Sequence, residues 1–205
     1  MEKINISVAV AVLNEEKNIL KLLNSLSNQT IKPSEIIISD GGSTDNTKNI
    51  INNFIKKNDN KKPKIQLIDR NGRCRGSGRN TAIENCKFNY VALIDSGHEA
   101  DSKWIEGFHS KIIENNNKID VIYGLVQPLI NNYFSKILSC FVLGNKLHRG
   151  FMEETVASIL ITKKLWLEVG KFDESIDGGY IVEDLRFLKK IKLNRFKKSQ
   201  SINSK

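Results

Sequence analysis

No stretch of this sequence holds about 18 consecutive apolar residues, which excludes an ordinary membrane-spanning helix. The first residues, Met1-Glu2-Lys3-Ile4-Asn5, lack a basic segment followed by an apolar core, so no secretory leader is expected. Cysteine is sparse: Cys74, Cys86 and Cys140 form no C-x-x-C pair. Neither a disulfide framework nor a zinc site is therefore expected, and a reducing compartment, the cytoplasm, fits. There is no internal repeat, no low-complexity linker and no composition break across the 205 residues that demands a second domain. A formal charge of +9 and a pI near 9.4 admit an anionic partner without choosing among nucleic acid, an anionic membrane surface and a nucleotide diphosphate. Aromatic residues interleaved with the basic ones are missing, which argues against a single-strand nucleic-acid binder.

What is present is an alternation of short apolar runs and helical patterns. Ile4 to Leu13 is almost continuously apolar and β-branched, as a strand buried on both faces of a parallel sheet is. Ile19, Leu22, Leu23 and Leu26 follow at helical spacing. A second strand, Glu35 to Ser39, runs into Asp40-Gly41-Gly42-Ser43-Thr44-Asp45, where Ser43, Thr44 and Asp45 can cap a helix carrying Ile50, Ile51, Phe54 and Ile55. Ile65 to Ile68 is a third strand. Residues 69–80 then interleave four arginines with three glycines, a pattern read as a flexible positive loop, able to bring backbone amides and guanidinium groups to a phosphate, ahead of a helix at about Thr81 to Cys86.

Tyr90 to Ile94 is a further buried strand, ending in Asp95-Ser96-Gly97-His98. A helix around Trp104 to Ile113, a fifth strand at Asp120 to Leu125 and a helical pattern at Asn132 to Leu143 come next. The region from about Gln127 to Glu154 is irregular and is expected to shape the site. Ser158 to Thr162 reads as a strand, Lys163 to Val169 as a short helix, and Asp177 to Tyr180 as a glycine-rich loop leading into Ile181 to Phe187. The expectation is a single α/β domain with a parallel sheet through at least its first half. Three strand ends deliver Asn14-Glu15, Asp40 and Asp95 to one sheet edge, where ligands bind in open α/β folds. Asp95 can equally cap a helix or open a turn, and Glu183 and Asp184 can simply serve a helix dipole.

The stretches VAVLNEEKNI from Val10, EIIISDGGSTDNT from Glu35, GSGRNTAI from Gly76, YVALIDSGHEAD from Tyr90, SILITKKLWLEVGKFDES from Ser158 and VEDLRF from Val182 together resemble glycosyltransferase family 2. The resemblance implies a GT-A-like, Rossmann-related fold and an inverting transfer from a nucleotide-sugar donor, most often a UDP-sugar, to a glycan or lipid-linked acceptor in cell-surface glycan synthesis. It implies that Val12, Asn14, Glu15, Asp40, Gly41, Arg79, Asp95 and Ser96 hold the donor, and that Asp184, with Glu183 as its less favoured neighbour, is the general base. It also places Asp95 at the first position of a D-x-D metal element. Gly97 stands where the second acid would be, so Asp95 and His98 are the candidate ligands for Mn²⁺ or Mg²⁺. On this reading residues 1–187 are the transferase domain, with a nucleotide half of about 1–101 and an acceptor half of about 102–187. Residues 188–205 are a basic amphipathic tail able to lie on the cytoplasmic face of an anionic membrane. Two other readings stand beside it: a polyprenyl-phosphate sugar transferase, and a non-catalytic domain that binds anions or nucleic acid.

Overall fold

Along β1 (Ile6–Val12), Val8, Val10 and Val12 alternate with Ala9 and Ala11, so a single strand supplies side chains to both faces of a sheet. In the computed structural model, which describes residues 4–59, 62–70, 72, 74–127, 147–148, 151–152, 155–175 and 182–203, both faces are covered by helices. β1 leads to α1 (Ile19–Ser27), β2 (Glu35–Asp40), α2 (Thr47–Lys57), β3 (Lys64–Asp69), α3 (Arg75–Asn85), β4 (Tyr90–Ile94) and α4 (Trp104–Glu114). Then come β5 (Val121–Tyr123), the short pair β6 (Leu147–His148) and β7 (Phe151–Met152), β8 (Ser158–Thr162), α5 (Lys163–Glu168) and α6 (Val182–Asn203).

The main sheet has the order β3-β2-β1-β4-β8-β5. β1, β2, β3 and β4 are parallel, in a register that sets Val12 beside Asp40 and Asp40 beside Asp69. β8 is antiparallel to both β4 and β5, pairing Val91 with Ile161 and Ile161 with Val121. On one face Val8, Val10, Ile36, Ile38 and Ala92 pack against Leu22, Leu23, Ile51, Ile105 and Phe108 of α1, α2 and α4. On the other, Ala9, Ile37, Val91 and Leu93 meet Ile83, Trp166, Phe187 and Ile191 of α3, α5 and α6. Among the described residues no helix is long and apolar enough to cross a membrane.

The structure differs from the sequence reading in three places. The arginine-glycine segment is not a loop up to Asn80: α3 already begins at Arg75, so Gly76, Ser77, Gly78, Arg79 and Asn80 are helical. Arg70 shapes the turn ahead of it, donating to Ser77 Oγ at 2.8 Å and to the Cys74 carbonyl at 3.0 Å. Ser43 and Thr44 do not cap α2: the Ser43 hydroxyl accepts from Asn14 N at 2.9 Å, and Thr44 N donates to Asn14 Oδ1 at 2.9 Å. α6 runs straight through the 187/188 boundary, with Leu188 and Ile191 buried against the core. The helical pattern at 132–143 and the glycine-rich loop at 177–180 lie outside the described residues.

Asn80 ties α3 to the segment before α6. Its amide donates to the Phe172 carbonyl at 3.0 Å and Glu174 Oε1 at 2.7 Å, and its oxygen accepts from Trp166 Nε1 at 3.1 Å and Phe172 N at 3.0 Å. Gly76 lies directly under the Asp173 carbonyl, which a Cβ would strike, whereas a Cβ at Gly107 in α4 meets nothing within 4 Å. Gly107→Ala is therefore expected to raise stability by about 0.5–1 kcal/mol through helix propensity. Gly76→Ala should lower it by about 1–3 kcal/mol through overpacking. Urea unfolding of the two variants checks this, and a neutral Gly76→Ala would show that α3 does not dock on Asp173.

Candidate active site

The chain winds β1, β2, β3 to one side of the sheet and returns to place β4 on the other side of β1. The carboxyl ends of β1 and β4 thus flank a point where strand order reverses, the usual location of a ligand crevice. Two groups of side chains stand at this edge.

The first is built on the ends of β1 and β2. Asn14 holds a left-handed backbone with φ of 54°, a conformation asparagine tolerates better than most residues. Its side chain locks the turn after β1 onto the loop after β2 through Thr44. Glu15 N donates to Thr47 Oγ1 at 2.8 Å, and Gly41 N donates to the Val12 carbonyl at 2.9 Å. Asp40 is fully buried. Its Oδ1 accepts from Gly42 N at 2.8 Å and Ser43 N at 2.7 Å, and Lys48 Nζ lies 3.8 Å from the same oxygen. Its Oδ2 is buried and has no hydrogen-bond partner, a costly state that a ligand N–H would relieve.

The second group centres on Arg79, whose side chain is 3% exposed. Nη2 donates to Asp95 Oδ1 at 2.8 Å, and Nη1 donates to Asp184 Oδ1 and lies 3.6 Å from Glu183 Oε1. The guanidinium also sits over the Phe172 ring, 5.5 Å from its centroid. Asp95 is not a helix cap: its backbone carbonyl closes a turn with His98 N at 3.0 Å, while its carboxylate faces Arg79. Glu183 and Asp184 do occupy the first turn of α6, so the helix dipole and the arginine both favour their charge.

The two aspartates are driven apart electrostatically. Burial pushes both upward, but at Asp95 the charge and hydrogen bond of Arg79, with smaller help from His98 and Arg75, hold the carboxyl below its usual range. At Asp184 burial, Asp95 and Glu183 outweigh Arg79, and the carboxyl titrates above the usual range. The two carboxyls are thus shifted in opposite directions, a pattern that acid–base chemistry can use.

The two groups meet where Gly97 approaches Glu15: a Cβ on Gly97 would lie 3.9 Å from Glu15 Oε1. Ser96 is buried beside them. Among the described residues no hydrogen bond joins Arg79 to Asp40, so the arginine stands with the acids rather than with the Asp40 pocket.

Among the described residues no group of three or more His, Cys, Asp and Glu side chains forms a metal cage. The donors at the end of β4 are the Asp95 carboxylate, with one oxygen committed to Arg79, and His98, whose Nδ1 is buried without a hydrogen-bond partner. This set fits a cation that binds few protein groups and completes its shell with substrate phosphates, as Mg²⁺ does. Sequence reasoning gave no role to Asn80 and counted Arg75, whose Nε lies 3.9 Å from Glu183 Oε1, only among the four arginines of a phosphate-approaching loop. Both flank Arg79 on α3, and that adjacency was the available signal.

The sequence model of Glycosyl transferase family 2 matches residues 7–164. The chain is 32% identical over 109 residues to glycosyltransferase GlyA of Streptococcus pneumoniae serotype 4, covering 53% of this chain and 15% of that protein. Its fold is similar to that of S. aureus TarS residues 1–349 in complex with UDP, with a TM-score of 0.67 and 22% identity over 93% of this chain and 56% of that one. It is also similar to the mannosyltransferase PcManGT of Pyrobaculum calidifontis in complex with GDP-Man and Mn²⁺. That likeness has a TM-score of 0.62 and 16% identity, over 84% of this chain and 48% of that one. The chain thus spans about half the length of these solved structures and a smaller share of GlyA.

Replacing Arg79 with Met strands three carboxylates at close range, and breaking a buried pair of this kind costs about 3–5 kcal/mol. Without the guanidinium the folded pKa values of Asp95 and Asp184 rise above their unfolded ones, so the penalty is largest above the carboxylate range and shrinks as pH falls and they protonate. Urea midpoints of Arg79→Met and wild type at pH 7.5 and pH 5 measure this; a pH-independent difference would contradict it.

Proposed function

Since the chain belongs to glycosyltransferase family 2 and has the GT-A fold, we propose that it moves a sugar from a UDP-sugar to a hydroxyl acceptor with inversion at the anomeric carbon. The observation that carries this reading is the Arg79 cluster, which sets Asp95, at the switch-point crevice, beside Asp184, an acid poised to accept a proton. The buried, unpartnered Oδ2 of Asp40 supports a base carrying a ring N–H, as uracil does. The UDP bound to TarS supports the same donor class.

In this mechanism the nucleotide lies across the carboxyl ends of β1, β2 and β4, held by Val12, Asn14, Glu15, Asp40 and Gly41 on one side and by Asp95 and Ser96 on the other. Asp184 removes the proton of the acceptor hydroxyl as that oxygen attacks the anomeric carbon from the face opposite the diphosphate. The bond between the anomeric carbon and the diphosphate oxygen breaks, and its electron pair leaves with UDP. Arg79 keeps the ionised Asp184 in place, and Glu183 adds the negative charge that keeps the guanidinium there. A divalent cation on Asp95 and His98 would neutralise the leaving diphosphate; the Mn²⁺ of the PcManGT complex supports that cofactor class.

The acceptor in this reading is a glycan or a lipid-linked saccharide, and α6 is the element that would meet an anionic membrane on the cytoplasmic face. Leu185 and Leu193 are 55% and 51% exposed there, with Lys189 beside them. Leu185→Ser with Leu193→Ser should then reduce sedimentation with phosphatidylglycerol vesicles, and an unchanged bound fraction would remove the membrane from the proposal.

Calorimetry is expected to show UDP binding to the intact chain; failure of UDP and of every other nucleoside diphosphate to bind, with and without Mn²⁺, would refute the transferase reading. Asp184→Asn should retain UDP binding and lose transfer by about a hundredfold or more. Because burial raises the Asp184 carboxyl, the acid limb of wild-type kcat/KM should lie above the ordinary aspartate value of about 3.9.

A further inference from the structure

We infer that Lys48 is a positioning residue for nucleobase recognition: it compensates the buried Asp40 carboxylate against the neighbouring Asp69, so that Asp40 Oδ2 stays a charged acceptor for one base N–H. This rests on the nucleotide-sugar reading above, and Lys48 acts through Asp40 rather than on the nucleotide. The constraint comes from strand register. β2 and β3 are parallel and pair Asp40 with Asp69, so two carboxylates end neighbouring strands side by side. Like charges in that arrangement repel.

The two acids are unequally placed. The Asp69 side chain is 61% exposed and keeps its charge in water, whereas the Asp40 side chain is 0% exposed and depends on groups within the protein. Gly42 N and Ser43 N donate to its Oδ1. A full positive charge comes from Lys48, whose Nζ lies 2.9 Å from both oxygens of Asp69 and 3.8 Å from Asp40 Oδ1. The hydrogen bond to Asp69, opposed by desolvation and helped by the charges of Asp69 and Asp40, holds the ammonium above its usual range. Lys48 stands in the first turn of α2, where a cation opposes the helix dipole. Its place is therefore set by the two acids and not by the helix.

The consequence falls on the free oxygen. With Oδ1 accepting two backbone N–H groups, the acceptor left over is Oδ2, which is buried and has no partner. A neutral carboxyl would carry its proton on that oxygen and set a donor against the ring N–H of uracil. The ionised carboxylate offers lone pairs, and its bond to an N–H is charge-assisted. By compensating the repulsion from Asp69, Lys48 keeps the pocket in the accepting state.

The test is calorimetry of UDP and of UDP methylated at N3 of the uracil, at one Mn²⁺ concentration, on wild type, Lys48→Met and Lys48→Arg. The methylated nucleotide keeps the ribose and the diphosphate and lacks the N–H. Wild type should bind UDP about tenfold or more tighter than the methylated form, the size of one charge-assisted bond. Lys48→Met should lose about threefold to tenfold in UDP affinity and leave the methylated form unchanged, while Lys48→Arg keeps most of the gap. The gap is read within each variant, and matching urea midpoints verify that the variants are folded; a lysine with a merely structural role would lower both affinities together. A gap that Lys48→Met leaves intact, or that Lys48→Arg loses as fully as Lys48→Met, overturns the assignment and leaves the donor reading standing. Wild type that does not distinguish the two nucleotides overturns the base contact of Asp40 and this assignment with it. Wild type that binds no nucleoside diphosphate overturns the donor reading as well.

Discussion

A guanidinium that is 3% exposed is tolerable only where negative charge surrounds it, and at Arg79 that requirement organises the molecule's functional edge. The three acids come from distant places: Asp95 from the end of β4, Glu183 and Asp184 from the first turn of α6. Each gains from the shared cation and each repels the others, so the cluster is stable only with Arg79 at its centre. The same mutual repulsion splits the two aspartates, holding Asp95 down and pushing Asp184 up. The stability of the cluster and the opposite shifts of its two aspartates thus have one electrostatic origin.

The position of Arg79 depends in turn on how α3 is seated. α3 packs Ala82 and Ile83 against the sheet face that also receives α5 and α6. Asn80, the next residue after Arg79, makes four hydrogen bonds to Trp166, Phe172 and Glu174, so every polar group of a buried amide that faces this segment is satisfied. Gly76 lets the Asp173 carbonyl approach the helix more closely than any side chain permits. Asp173 itself is held to about 2 by Ser175 and Arg186, which pins this segment to the start of α6. Residues 172–174 therefore act as a clasp between the helix that carries the arginine and the helix that carries the acids.

The strands were legible because burial on both faces leaves a continuous apolar run, as in Val8 to Val12, Ile36 to Ile38 and Val91 to Ile94. Their charged ends, Asp40 and Asp95, were legible for the same reason: an acid at the end of such a run has nowhere to go but the sheet edge. The insertion of β8 between β4 and β5 was not, since the pairing of Val91 with Ile161 depends on contacts about seventy residues apart that no local pattern encodes. Nor was the start of α3. Its first four residues, Arg-Gly-Ser-Gly, have the composition of a turn, and it is tertiary contact at Gly76 and the Arg70 bond to Ser77 that makes them helical. Asp95 was singled out as a candidate from its strand end, but its partner Arg79 lies sixteen residues away and that arginine's other acid, Asp184, lies 105 residues beyond it, distances that only the fold closes.

The overall charge of +9 also misdirects if it is carried over to the site. Much of the excess sits in lysines such as Lys56 and Lys57 at the end of α2, where they complement a helix dipole and face solvent. Lys48 is bound at 2.9 Å to both oxygens of Asp69. At the crevice the balance reverses: Asp40, Asp95, Glu183 and Asp184 crowd the strand ends, and the arginines there serve first to hold the acids together. An acid-rich site that admits a diphosphate has to recruit positive charge with the substrate, from a cation, from a side chain at the rim, or from both. In the proposed transfer, affinity for the leaving diphosphate would depend on the neutralising charge brought to the rim, while the buried Arg79 would keep Asp184 aligned.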